Sequence, residues 1–86
     1  MEELVFTQKS LSKLVHIRRK MEKEFGCTYQ ISSNNQVVDL LRAAAYSSDD
    51  DIQKCFREFL QGLTQQQLKM ITELGVTLPT EYVSNG

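Results

Sequence analysis

The sequence predicts a mainly α-helical protein: one compact domain of four short helices with at most a short N-terminal strand. Three observations predict it. Ile52, Cys55, Phe56, Phe59, Leu60 and Leu63 follow the i, i+3, i+4, i+7, i+8, i+11 series without a miss, the signature of a helix with one buried face. Ser33 with Gln36, and Thr64 with Gln67, stand at capping-box spacing, where two side chains satisfy two helix-start N–H groups reciprocally. Gly26, Gly62, Gly75 and Pro79 fall where those helices have to stop.

The first helix is expected to begin near Thr7 or Gln8 and to stop at Gly26, which suits a left-handed cap. Its apolar stripe is read as Leu11, Leu14, Ile17, Met21 and Phe25, with Arg18 at the stripe's edge. The second helix is predicted over about Asn34 to Tyr46. Val37, Leu40, Leu41 and Ala44 form its apolar face, widened by Val38 and Ala45, which makes it the most buried of the set. The third is expected to open at Ser47 or Ser48 and to carry Asp49, Asp50 and Asp51 in its first turn, beside the positive end of the helix dipole. A calcium loop would need alternating oxygen ligands, a central glycine and a closing glutamate, and those are missing. The fourth starts at the Thr64 cap and runs to Gly75, with Val76 placed for the apolar contact of a Schellman cap. Leu4-Val5-Phe6 and Tyr29-Gln30-Ile31 are apolar clusters outside these helices, each long enough for a short strand. The domain is expected to span residues 1–78, with 79–86 a flexible tail.

The chain has 86 residues, 41% apolar and 24% charged, the balance of a globular domain. No apolar run approaches the roughly 18 residues of a membrane span. The start MEELVFTQKS has neither the basic opening nor the long apolar core of a secretory signal, so a cytoplasmic protein with reduced Cys27 and Cys55 is expected. Side-chain catalysis needs a nucleophile or base held by a partner. His16 is the only histidine and lies among lysines, Cys55 lies on an apolar stripe where burial raises a thiol's pKa, and Cys27 has no basic partner. One His and two separated Cys do not make a metal set, and the four scattered glycines make no phosphate loop. A non-enzyme without cofactor or metal is expected.

Charge carries the functional signal. Residues 1–30 hold six Lys and Arg against four acids, whereas the rest holds four against seven. Lys9, Lys13, His16, Arg19, Lys20 and Lys23 fall on the half of the first helix opposite its apolar stripe, a surface for an anionic partner.

The order Glu3-Leu4-Val5-Phe6-Thr7, helix 8–25, loop and capped helix 34–46 resembles the ribbon-helix-helix family of dimeric DNA-binding proteins over the first half of the chain. The resemblance implies paired N-terminal strands in the major groove and a backbone phosphate held at the start of the second helix. The matching phosphate site is the N–H groups around Ser33, Asn34 and Asn35. Of the alternate strand positions Glu3, Val5, Thr7 and Glu2, Leu4, Phe6, Thr7 is the base reader. Gly62-Leu63-Thr64-Gln65-Gln66-Gln67-Leu68 is similar to the turn and recognition-helix start of phage-repressor helix-turn-helix motifs; Arg57, Glu58 and Gln61 stand where that motif places apolar or small residues.

The expected function is therefore a small DNA-binding regulatory or accessory protein acting as a homodimer on duplex DNA. The alternative is an adaptor or inhibitor that docks an acidic protein through the basic face of the first helix. Attachment to a membrane surface is not expected: Trp is absent and Arg18 interrupts the stripe.

Overall fold

The periodic apolar residues of 52–63 have to be covered by something, and the first helix covers them. The computed structural model describes residues 4–82. Among these the chain forms α1 (Gln8–Phe25), α2 (Asn34–Ala45), α3 (Asp50–Gln61), α4 (Gln65–Glu73) and a 3-10 turn at Thr80–Tyr82, with no strand. Ser10 near the start of α1 lies against Gly62 at the end of α3, and Lys13 reaches the Glu58 carbonyl at 3.2 Å. The two helices therefore run antiparallel. Leu14, Ile17 and Met21 of α1 and Ile52, Phe56, Phe59 and Leu60 of α3 are all fully buried. Each large side chain so covered stabilises the fold by about 1.5–3 kcal/mol relative to exposure.

The α1 stripe differs from the expected one at both ends. Leu11 is 39% exposed and Phe25 54% exposed, while Ser10 takes the buried position beside Gly62. At about 100° per residue Leu11 is turned roughly 90° from the line 10, 14, 17, 21. Counting back from the Ser10–Gly62 contact, Asp50 comes level with Glu22, so Phe25 overhangs the start of α3. A side chain smaller than leucine is what lets the two backbones approach at Ser10.

The caps explain the helix limits. Thr7 Oγ1 accepts the Ser10 N–H at 3.1 Å, and Gly26 closes α1 in the left-handed conformation at φ 68°. Both capping boxes form, at Ser33–Gln36 and Thr64–Gln67. The start of α3 lies later than the serines suggest: Asp49 is the cap, its carboxylate accepting the N–H groups of Asp51 and Ile52 at 2.9 and 3.1 Å. Ser47 instead accepts the Asp49 N–H. The open carbonyls ending α2 are taken by Gln53 of α3, whose side-chain amide lies 2.7–3.3 Å from the oxygens of Ala44, Ala45 and Ser47. At the end of α4, Val76 N–H bonds the Ile71 carbonyl and Gly75 N–H that of Thr72. With Gly75 at φ 99° and Val76 buried, this is the Schellman cap the sequence predicts.

Leu4 is buried, Val5 is exposed and Phe6 packs its ring against Phe59, centroids 5.5 Å apart. The Val5 carbonyl accepts from the Gln67 side chain at 2.6 Å. Leu4 to Thr7 thus lie on the helices and pair with no strand; Glu2 and Glu3 fall outside the described residues, as do Val83 to Gly86. The segment expected as a tail begins with an anchored turn: Tyr82 donates to the Arg57 carbonyl, and Arg57 pairs with Glu81. The radius of gyration is 12.2 Å, against about 12 Å for a folded chain of this length.

Candidate functional site

Helix α1 divides into three lengthwise strips. Ser10, Leu14, Ile17 and Met21 face the core. Lys9, Lys13, His16, Lys20 and Lys23 recur at spacings of four and three along one flank, which keeps them on a single line because 3.5 residues is close to one helical turn. Arg19 projects directly outward beside that line. At 1.5 Å per residue, Lys9 to Lys23 covers about 21 Å.

Lys9, His16, Arg19 and Lys23 are exposed; Lys13 and Lys20 are half-buried because the line borders α3. Lys13 donates to the Glu58 carbonyl. Lys20 is close enough to Cys55 to favour its thiolate, against burial and the carboxylates of Glu58 and Asp51, and the thiol pKa ends up raised, chiefly by burial. Two ion pairs occur among the described residues, Arg42–Asp39 and Arg57–Glu81, and neither involves α1. Its lysines and arginines are therefore not neutralised by direct contact with acids among the described residues. Asp51 and Glu58 on α3 temper the field along the inner edge of the line, and Glu24 of α1, four residues after Lys20 and next to Lys23, tempers its C-terminal end.

The other expected site residues do different work. Thr7 is exposed, but its hydroxyl is the α1 cap and also donates to Ser10 Oγ at 3.2 Å. Ser33 holds the Gln36 N–H, while the N–H groups of Ser32 and Ser33 both donate to Gln36 Oε1. The amides of Asn34 and Asn35 have no partner among the described residues, as expected for a first helical turn. They share no hydrogen bond or ion pair with the α1 cations. The structure thus gathers the six basic residues on one helix and leaves Ser33, Asn34 and Asn35 on another element.

The chain matches no protein-family model, and no curated protein or solved structure resembles it significantly. Function has to be argued from the surface alone. Two surface features were not foreseen. One is an open groove of about 990 Å³ between α4 and residues 75–82, walled by Leu68, Met70, Val76, Leu78 and Tyr82. It depends on the chain folding back after Gly75, which no local pattern announces. The other is the remaining flank of α1, where Leu11 and Phe25 stay in solvent. No described helix is long and apolar enough to cross a membrane.

Proposed function

We propose that this protein is a non-enzymatic DNA-binding regulatory or accessory protein, acting as a dimer, whose basic line on α1 follows duplex phosphates. The supporting observation is the set Lys9, Lys13, Arg19, Lys20 and Lys23, placed along about 21 Å without an ion-pair partner among the described residues. Cations held along a rigid rod and not consumed by the fold can neutralise successive phosphates and release their counterions. Recognition by such a surface is of backbone charge, and it carries no base readout of its own. The free amides of Asn34 and Asn35 offer a further anion position at a helix start. The ribbon-helix-helix form of this reading asks two copies to pair Glu3–Thr7 as strands, which would displace the Gln67 bond to the Val5 carbonyl. A cytoplasmic setting fits Cys27 and Cys55, both free thiols.

The second reading, an adaptor docking an acidic protein, is favoured by one observation. Asp51 and Glu58 border the basic line at Cys55, giving the mixed-charge edge that orients a protein partner. An electrophoretic shift of random duplex DNA at low salt separates the two. Wild type should retard the duplex, and Lys9→Glu/Lys23→Glu, at two exposed positions, should abolish retardation with helical content unchanged. Absence of retardation by wild type would leave the adaptor reading.

A further inference from the structure

We infer that the third strip of α1, Leu11, Val15, Arg18, Glu22 and Phe25, docks against the same strip of a second copy, antiparallel. The inference rests on the dimeric part of the proposed function and gives that dimer a surface. The five positions recur at spacings of four and three, the repeat that keeps a seam facing a partner helix. The strip lies roughly 100° to one side of the core line and the basic line roughly 100° to the other, so docking leaves the lysines in solvent.

Its composition is that of a small interface, with apolar positions at both ends and opposite charges between them. Leu11 is 39% and Phe25 54% exposed, large apolar side chains that the described residues leave partly uncovered. Arg18 makes no ion pair among the described residues, and its Nε is buried without a hydrogen-bond partner. Glu22 uses one carboxylate oxygen to accept the Tyr29 N–H at 2.9 Å, which fixes the side chain and leaves the other oxygen available.

Charge selects the register. Two antiparallel copies can be aligned so that Arg18 meets Arg18, a like-charge clash. Shifted by two residues per copy, Arg18 faces Glu22 of the partner subunit, and symmetry repeats that pair on the other side of the two-fold axis. In this register Val15 faces Phe25 of the partner subunit, and Leu11 lies past the end of the partner's helix. The two helices overlap over Val15 to Phe25, about 15 Å, and bury less than the roughly 1,200–2,000 Å² of a standard stable interface. The dimer should therefore dissociate at micromolar concentration.

Sedimentation equilibrium on the full chain without DNA tests this. Wild type should show a concentration-dependent monomer–dimer equilibrium. Arg18→Glu and, separately, Phe25→Lys should each weaken it by at least about tenfold, equivalent to about 1.4 kcal/mol. The pair Arg18→Glu/Glu22→Arg should recover most of the loss, a result that loss of packing alone cannot give. Circular dichroism checks that each variant stays helical, and Phe25→Lys, at an overhanging exposed position, keeps the test valid should Arg18→Glu unfold. A monomer at every concentration up to about 1 mM, roughly three decades above the expected micromolar range, would overturn the inference. So would a dimer indifferent to Arg18→Glu and Phe25→Lys, or a double variant no better than Arg18→Glu. DNA binding is measured separately with Lys9→Glu/Lys23→Glu, so a dimer of the expected kind that ignores DNA would remove the proposed function and leave this surface standing.

Discussion

If α1 lies along a duplex, the salt dependence of binding should count its lysines one by one. Each neutralised phosphate contributes about −0.9 to the slope of log K against log salt concentration. Lys9, Arg19 and Lys23 are exposed, whereas Lys13 is partly committed to the Glu58 carbonyl and Lys20 is half-buried. Three to five phosphates give each bound chain a slope contribution between about −2.7 and −4.5, a loss of about 40- to 500-fold per chain between roughly 50 and 200 mM salt. A dimer with both lines on the duplex doubles the slope. Fluorescence anisotropy with a labelled 20-base-pair duplex measures this directly. Lys9→Gln and Lys23→Gln should each make the slope shallower by about 0.9 per bound chain. Lys13→Gln should change it less, because its ammonium must first leave the Glu58 carbonyl. A slope near zero, or one unchanged by Lys9→Gln and Lys23→Gln, refutes the argument that this line meets phosphates.

Stability experiments test the fold that positions the line. Gly75→Ala forces a side chain into the left-handed region at φ 99° with its Cβ 3.5 Å from the Arg42 side chain, so the urea midpoint should fall by the equivalent of about 1–2 kcal/mol. Gly26→Ala carries the same backbone strain at φ 68° but meets nothing within 4 Å, and should cost no more than Gly75→Ala. Asp49→Ala removes the acceptor of two N–H groups at the start of α3 and should destabilise by about 1 kcal/mol in thermal melts. With iodoacetamide, exposed Cys27 should react before Cys55, whose burial raises its pKa. The Cys55 rate should keep climbing with pH above the ordinary thiol range, and equal rates near neutral pH would contradict that placement.

The helices were legible because their signals are local. A Ser–Gln or Thr–Gln pair three residues apart needs only its own turn to form a capping box, and Ile52 to Leu60 form a stripe whose partner can be any apolar surface. Asp49 shows where such reading fails. Serine and aspartate are both good caps, and nothing local decides among Ser47, Ser48 and Asp49; Gln53 tying the end of α2 to the start of α3 fixes that junction. The Leu11 and Phe25 discrepancy has a tertiary cause too. Both continue an apolar helix pattern, yet Leu11 is turned roughly 90° from the buried line, and Phe25 lies past the start of α3, which is level with Glu22.

The basic line was legible for the same reason the caps were, since helical periodicity places Lys9 to Lys23 once the helix is known. What the sequence left open was whether those cations would be used up by the fold. Asp49, Asp50 and Asp51 were the obvious candidates to neutralise them, and none of the three forms an ion pair with them. Asp49 is bound to its own helix start, while Asp50 lies on the far side of α3, beside Gln53 and Arg57. Asp51 faces the line at Cys55 without reaching ion-pair distance. An acidic chain can therefore present a basic surface, because Asp49, Asp50 and Asp51 are set apart at the start of α3 while the α1 cations stay outside ion-pair distance of every described acid. The same separation makes the two proposed faces of α1 independent. A substitution on the Lys9–Lys23 line should alter salt dependence without altering mass, and one on the Leu11–Phe25 strip should alter mass first.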